Sequence, residues 1–202
     1  METKIYQINQ IEEIALAIRN GQMIAIPTDT VYGLAIDCFN SEAIENLKIA
    51  KGRPDDKPFP MMVSSIEQLA KVAIITERER KVIDCFMPGA LTVIFNKRED
   101  LPPEVNNGLS TIGVRMPDDE FVLKLIELVG NPLLVPSANL SGEPSCVSDT
   151  EVLAQLKGRI DGVVCGTSGS AQASTIIDMS GEEIKVLRQG KITLEEILEV
   201  LI

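Results

Sequence analysis

The stretch MIAIPTDTVYGLAI, residues 23–36, begins and ends with the apolar runs that are typical of buried strands. Its polar centre places Thr28, Thr30 and Tyr32 directly after the end of the first run. Ligands of open α/β sheets collect at strand ends, so these hydroxyls are predicted to hydrogen-bond a small polar molecule. The alternative is a turn in which the hydroxyls only bind their own backbone.

Strand and helix patterns interleave irregularly along the rest of the sequence, without an internal repeat or a low-complexity tract. They predict an α/β fold, a single domain over residues 1–202 whose twisted sheet mixes parallel and antiparallel strands and is flanked by helices. Capping-box pairs mark several helix starts. These pairs include Ser64 with Glu67, Thr76 with Glu79, and Thr193 with Glu196.

Composition excludes several classes of function. The formal net charge of −11 does not favour nucleic acid or an anionic membrane as a partner, so a polyanion must be bound locally. The sequence has four cysteines and no histidine, which argues against zinc sites and excludes Ser-His-Asp and Cys-His catalysis. We find no signal-peptide pattern and no apolar run of the roughly 20 residues that a membrane span needs. A cytoplasmic protein without membrane contact is therefore expected.

The segment KGRPDDKP, residues 51–58, sets three cations among turn-forming residues. Because proline prevents helix continuation, Lys51, Arg53 and Lys57 do not share one helix face, and a fixed loop can aim them at one phosphate group. The alternative is an exposed basic turn after a helix.

Two further strand ends carry polar side chains. Arg115 ends one predicted strand, where it suits a carboxylate or phosphate; its alternative is a structural pair with Asp118 or Asp119. Ser137 and Asn139 follow another strand and can bind phosphate oxygens or help to hold a hydrated Mg²⁺, unless they only cap a turn. The loop GTSGSAQA, residues 166–173, lacks the lysine of a Walker motif and is a candidate lid.

Six motifs, taken together and in this order, resemble the Sua5/YciO/YrdC family. The resemblance extends nearly from end to end and is strongest to its short, single-domain L-threonylcarbamoyladenylate synthases. We therefore expect no extra carboxyl-terminal domain of the kind that longer members carry. The motifs are PTDTVYGL at 27–34, KGR at 51–53 with Lys57-Pro58, GVRMP at 113–117, SAN-SG at 137–142, STIID at 174–178 and LRQG at 187–190.

The resemblance implies a twisted α/β sheet around a large concave cavity. It also implies an enzyme that condenses L-threonine, bicarbonate or CO₂, and ATP with Mg²⁺ into threonylcarbamoyl-AMP and pyrophosphate. The product would serve the downstream machinery that threonylcarbamoylates adenosine 37 of tRNA. The Mg²⁺ would be held mainly by the ATP phosphates rather than by the protein.

The same resemblance implies roles for individual residues. The catalytic cations would be Lys51, Arg53 and Lys57, with Lys57 near the reacting groups. The nucleotide would be contacted by Lys51, Arg53, Ser137, Asn139 and Arg188. Threonine would be bound by Thr28, Thr30, Tyr32, Arg115 and Ser174.

Two other functions remain open at this point. An RNA-binding module would grip the RNA backbone with the same basic cavity and without turnover, although the net charge of −11 and the aromatic content of 3% argue against it. The other is a different adenylation reaction, such as the carbamoyl transfer of hydrogenase maturation. In that system a similar domain is one part of a longer chain. A weak tRNA contact, the oligomeric state and the choice between CO₂ and bicarbonate are not determined by the sequence.

Overall fold

Ten strands and seven α-helices are present in the computed structural model, which describes residues 2–52, 58–170 and 172–202. The strands are β1 (Lys4–Tyr6), β2 (Ile24–Ile26), β3 (Gly33–Asp37), β4 (Met61–Met62), β5 (Leu91–Asn96), β6 (Thr111–Arg115), β7 (Leu133–Leu134), β8 (Gly162–Val164), β9 (Thr175–Asp178) and β10 (Lys185–Arg188). The α-helices are α1 (Ile11–Arg19), α2 (Ser41–Lys51), α3 (Ile66–Val72), α4 (Glu77–Phe86), α5 (Glu120–Val129), α6 (Asp149–Leu156) and α7 (Leu194–Glu199), and a short 3-10 helix covers Pro103–Asn106.

The strands form one sheet in the order β1-β8-β2-β3-β7-β4-β6-β5-β9-β10. The pairs β1 with β8, β8 with β2, β4 with β6, and β5 with β9 are parallel, and the other neighbours are antiparallel. The predicted α/β class, with a mixed sheet and flanking helices, is confirmed. That residues 1–202 make one domain stays a prediction.

Two hydrophobic clusters cover opposite faces of the sheet. Ile24 and Ile26 of β2 belong to one cluster and Ala25 to the other, as the two-residue period of a strand requires. The first cluster packs α1 and α5 against the sheet, and the second packs α2 against it. Because β2 and β3 are buried on both faces, residues 24–26 of β2 and 34–36 of β3 are apolar runs that can be recognised without a structure.

The helix starts agree with the sequence at two of the three predicted capping boxes. Thr76 and Thr193 cap α4 and α7 as predicted. The predicted start at Ser64 is wrong by one residue, because Ser65 caps α3 and accepts a hydrogen bond from the Gln68 amide at 3.2 Å. Among the described helices, none has both the length and the apolar character that a membrane crossing requires.

Candidate functional site

A cavity of about 220 Å³ lies over one face of the sheet, where β6, β5, β9 and β10 run side by side. Thr111, Gly113 and Arg115 of β6 line it, whereas Ile112 and Val114 between them are buried in the core. The alternation of a strand therefore presents one row of β6 to the cavity and the other to the hydrophobic cluster. The loops that follow β2 and β7, together with residues 58–60 before β4, form the rest of the wall.

Six residues that were predicted to form the site line this one cavity. They come from widely separated parts of the sequence, and most of them lie at or beside the end of a strand. The strand-end argument selected four of them, Thr30, Tyr32, Arg115 and Ser137, and the family resemblance added Ser174 and Arg188. The six are Thr30, Tyr32, Arg115, Ser137, Ser174 and Arg188.

Thr28 lies behind this wall rather than on it. Its side chain is 1% exposed, and its hydroxyl donates to the carbonyl oxygen of Val31 at 2.8 Å. The oxygen of this hydroxyl, Thr28 Oγ1, also accepts a hydrogen bond from the Thr30 amide at 3.1 Å. Thr28 thus holds the loop in the turn that presents Thr30 to the cavity. Its predicted contact with threonine stays a prediction.

The Tyr32 side chain lines the cavity, while its hydroxyl is hydrogen-bonded to the protein. The hydroxyl donates to the carbonyl oxygen of Val164, on β8, at 3.0 Å. Burial raises the pKa of the Tyr32 phenol well above its ordinary value. The side chain therefore stays neutral and shapes the cavity as an aromatic wall.

Arg115 is 3% exposed and is held at three points. Its Nε donates to the carbonyl oxygen of Gly89 at 2.9 Å, its Nη1 to Thr30 Oγ1 at 2.8 Å, and its Nη2 to the carboxylate of Asp29. Burial lowers the pKa of the Arg115 guanidinium, and the Asp29 carboxylate opposes that shift. These contacts fix the plane of the guanidinium beside the cavity.

The carboxylate partner of Arg115 was not foreseen. The sequence suggested Asp118 or Asp119, but the ion pair is made with Asp29, while the amide of Asp118 donates to that same Asp29 carboxylate at 3.3 Å. Asp119 instead caps α5. The only sequence signal for Asp29 is its place between the two threonines of the PTDT loop.

Arg188 approaches the same cavity from β10. Its Nε donates to the carbonyl oxygen of Ser174 at 2.9 Å, and its Nη2 to Ser174 Oγ at 3.1 Å. Arg188 is exposed as a whole, but partial desolvation lowers the pKa of its guanidinium, and the nearby charge of Arg115 lowers it further. No carboxylate of the described residues lies within ion-pair distance of Arg188. Among the described residues, Asp29 offsets Arg115 and no carboxylate pairs with Arg188, so these groups together carry a positive charge that suits a carboxylate or a phosphate.

Lys51 lies at the last turn of α2 and is 2% exposed. Its ammonium donates to the backbone carbonyl oxygens of Ser137 and Asn139, the latter at 2.7 Å. Lys51 thereby holds the backbone of the loop after β7 in place. Its predicted contact with phosphate stays a prediction, and the predicted sites Arg53 and Lys57 lie outside the described residues.

The side chain of Asn139 also makes its hydrogen bonds within its own loop. Its Nδ2 donates to the carbonyl oxygens of Leu140 and Glu143, each at 2.8 Å. Its Oδ1 is buried and has no hydrogen-bond partner among the described residues. Such an acceptor is uncommon in a folded protein. The nucleotide contact predicted for Asn139 is not tested by this geometry and stays a prediction.

The loop of residues 166–173, the candidate lid, is joined to the loop after β2. The amide of Gly169 donates to the Thr28 carbonyl oxygen at 2.9 Å, and the amide of Ser170 to that of Thr30 at 3.1 Å. A Cβ on Gly169 would lie 2.9 Å from the Asp29 carbonyl oxygen, so glycine permits this close approach. The two loops form one wall here, and the lid function stays a prediction.

Gly190 of the LRQG motif lets the chain after β10 pass close to β9. A Cβ on Gly190 would lie 2.6 Å from the Ala173 carbonyl oxygen and 2.7 Å from the Ser174 carbonyl carbon.

We expect Gly190→Ala to lower the free energy of unfolding by about 1–3 kcal/mol, because backbone atoms must move to admit the methyl group. Gly181→Ala is the control, since nothing lies within 4 Å of its Cβ position, and a change within about 0.5 kcal/mol is expected. Equal urea midpoints for both variants would contradict the prediction.

The described residues hold no group of three or more His, Cys, Asp or Glu side chains that could bind a metal ion. All four cysteines are free thiols, of which Cys38 and Cys146 are buried. The polar groups at the cavity are thus two guanidinium groups, several hydroxyls and backbone amides. This set of described groups is suited to bind and orient an anion.

Comparison with known proteins identifies relatives of the whole described fold. The Sua5/YciO/YrdC family model, described as "Telomere recombination", matches residues 16–190. A threonylcarbamoyl-AMP synthase of Pyrococcus abyssi is 40% identical over 186 residues, which cover 91% of this chain and 55% of the relative. A threonylcarbamoyl-AMP synthase of Bacillus subtilis is 39% identical over 195 residues, which cover 95% of this chain and 56% of the relative.

A solved structure supports the same relationship. The crystal structure of P. abyssi Sua5 complexed with L-threonine matches with a TM-score of 0.92 and 36% identity, over 100% of this chain and 61% of that chain. The present chain thus spans somewhat more than half the length of these relatives. Since the family model covers most of the sequence, the chain belongs to the Sua5/YciO/YrdC family.

Proposed function

We propose that this protein is an L-threonylcarbamoyladenylate synthase, a nucleotidyltransferase that forms threonylcarbamoyl-AMP and pyrophosphate from L-threonine, bicarbonate or CO₂, and ATP. The observation that carries the proposal is the convergence of Thr30, Arg115, Ser174 and Arg188 on one cavity. Relatives named threonylcarbamoyl-AMP synthase, and a structural match that was crystallised with L-threonine, support it.

The cavity suits an amino acid. Its volume of about 220 Å³ lies below the roughly 300–1,000 Å³ that pockets for drug-sized ligands occupy. Arg115 would bind the threonine carboxylate, and Thr30 would face the threonine hydroxyl. The amine would then point to the open side, where the nucleotide approaches.

The reaction needs no protein nucleophile. The threonine amine attacks the carbon of CO₂, a nitrogen–carbon bond forms, and the amine loses a proton to solvent. An oxygen of the resulting carbamate then attacks the α-phosphorus of ATP. The bond from the α-phosphorus to the bridging oxygen breaks, and pyrophosphate leaves with the electron pair.

Three negative groups meet in that step, namely the carbamate, the triphosphate and the threonine carboxylate. Cations that neutralise these groups and hold them in line supply much of the catalysis in such a reaction. This explains how a sequence with a net charge of −11 and no histidine supports an enzyme. A local field at one cavity acts on the substrates more strongly than the distant acidic surface.

ATP would extend from the cavity mouth along the loop after β7. Ser137 lines the cavity on that side, Asn139 belongs to the same loop, and the Lys51 ammonium donates to carbonyl oxygens of that loop. We assign Lys51, Arg53, Lys57, Ser137, Asn139 and Arg188 to the nucleotide. The Mg²⁺ would enter with ATP as part of the substrate, held mainly by phosphate oxygens.

The product would pass to the machinery that threonylcarbamoylates tRNA. A mixed anhydride of a carbamate and AMP is an activated acyl donor, so a transferase that accepts its threonylcarbamoyl group has to follow. Action in the cytoplasm and a weak contact with tRNA are parts of this proposal that stay predictions.

Pyrophosphate release by the purified protein tests the proposal. Release from MgATP should require both L-threonine and bicarbonate, and should fall strongly in Ser174→Ala. Threonylcarbamoyl-AMP should be identified as the product by mass spectrometry. If no combination of substrates gives pyrophosphate while RNA binds in a salt-dependent manner, the RNA-binding alternative is correct instead.

Serine should be a harder competitor to reject than valine. Valine offers no hydrogen-bonding group to the Thr30 hydroxyl, whereas serine only leaves a methyl pocket empty, which is worth about 1–3 kcal/mol. We expect kcat/KM for serine to lie roughly 10–200-fold below that for threonine, and kcat/KM for valine to lie lower still. Parallel steady-state kinetics measure both ratios, and stronger rejection of serine than of valine would refute the assignment of Thr30.

A further inference from the structure

Thr92 contributes a second hydroxyl to the cavity wall, and the reaction described above gives it no role. It lies on β5, is 4% exposed, and lines the cavity together with Ser174. Its Oγ1 is 2.8 Å from Ser174 Oγ, and this is the one hydrogen bond of the Thr92 side chain within the described part of the chain. A hydroxyl can donate once and accept twice, so the pair has capacity left for a ligand.

Arg188 sets the direction of this hydrogen-bond chain. Its Nη2 donates to Ser174 Oγ at 3.1 Å, and a guanidinium has donors only, so Ser174 accepts. The two hydroxyl protons must therefore point away from Arg188. One of them bridges Thr92 and Ser174, and the other is left for a further acceptor.

That acceptor belongs in the cavity, because both hydroxyls lie on its wall. A carboxylate is the strongest acceptor that can meet such a proton, whereas a neutral or cationic group would use it poorly. The same place is flanked by the positive charges of Arg115 and Arg188. Hydroxyl direction and local charge thus select the same kind of ligand group.

We propose that Thr92 is a positioning residue of the substrate site. With Ser174 and Arg188 it presents one O–H donor to the carboxylate of L-threonine. This inference rests on the proposed function, since it assumes threonine as the ligand. Thr92 follows Leu91 in a strand whose sequence gave no reason to assign it to the site.

Calorimetric titration with L-threonine and with L-threoninamide, which lacks the carboxylate, tests the inference. Thr92→Val keeps the side-chain shape and removes the hydroxyl. We expect its Kd for threonine to rise about tenfold, as for the loss of a hydrogen bond to a charged group, with little change for threoninamide. Thr92→Ser should recover most of the preference for threonine, and Thr111→Val, on the same cavity wall, should alter it much less.

The outcomes separate this inference from the function on which it rests. A Thr92→Val protein that keeps the wild-type preference for threonine over threoninamide overturns the inference, and so does an equal loss of affinity for both ligands. A wild-type protein that does not bind threonine overturns the proposed function as well. Thermal denaturation checks the fold, and Thr92→Ala is measured in place of Thr92→Val if the latter does not fold.

Discussion

Replacing Arg115 by alanine is expected to lower kcat/KM for L-threonine about a thousandfold in the pyrophosphate assay, which corresponds to about 4 kcal/mol. The guanidinium is held by Gly89, Thr30 and Asp29 in one orientation beside the cavity. A substrate carboxylate that meets this fixed group gains a charge-assisted hydrogen bond at little entropic cost.

The same substitution should also destabilise the fold. Removing Arg115 leaves the Asp29 carboxylate, whose side chain is 15% exposed, without its cation. Breaking a buried ion pair in this way costs about 3–5 kcal/mol, so an inactive Arg115→Ala protein does not by itself demonstrate a substrate contact. The structural and the binding contribution must be measured separately.

A second variant separates them. In Asp29→Asn/Arg115→Met both charges are removed, so most of the stability should return while threonine binding stays lost. Arg80→Ala, which removes the exposed ion pair with Asp84, is the control and should change stability by less than about 1 kcal/mol. Threonine-dependent pyrophosphate release by the stable double variant would show that Arg115 does not bind substrate.

Local patterns were sufficient to predict most elements of the fold. Residues 24–26 of β2 and 34–36 of β3 are apolar because both faces of the sheet are covered. Thr76 and Thr193 mark helix starts through contacts with residues only three positions away in the sequence. The 3-10 helix Pro103–Asn106 was missed, since four residues within a polar loop carry no periodicity. The order of strands in the sheet is a long-range property that such patterns do not contain.

The candidate site was predictable as a set of residues and not as a set of contacts. Strand ends pointed to Thr30, Arg115 and Ser137 because the carboxyl ends of strands gather ligands in α/β sheets. The partners of Arg115 depend on which loops lie beside β6, so a nearby aspartate in the sequence was the wrong choice. Thr92 was missed for the same reason, since its role comes from β9 lying beside β5.

Lys51 shows how composition can mislead about exposure. A lysine followed by glycine and proline predicts a solvated basic turn, because lysine is rarely fully buried. Here the ammonium is covered and donates to two backbone carbonyl oxygens of the loop after β7. A buried cation with such partners positions a loop, whatever else it contacts when nucleotide binds.

Lys51→Met should therefore be destabilising as well as inactive. The variant keeps the length of the side chain but leaves the carbonyl oxygens of Ser137 and Asn139 without this donor, at about 1–3 kcal/mol for each buried group. We expect a loss of about 2–5 kcal/mol in the free energy of unfolding, seen as a lower urea midpoint with an unchanged m value. Pyrophosphate release should fall strongly because the loop after β7 no longer holds its place beside the cavity.

Lys48→Met on the same helix is the matched control for Lys51→Met. Lys48 pairs with Glu45 at 2.7 Å, but Glu45 is 65% exposed, so the pair contributes at most about 1 kcal/mol.

Stabilisation by ATP then distinguishes the two roles of Lys51, because a ligand that binds only the folded state raises the urea midpoint of unfolding according to its affinity. If Lys51→Met unfolds at the wild-type midpoint and only the stabilisation by ATP is lost, Lys51 serves phosphate alone. If the midpoint falls while ATP still stabilises the variant, Lys51 holds the loop and other cations bind the nucleotide.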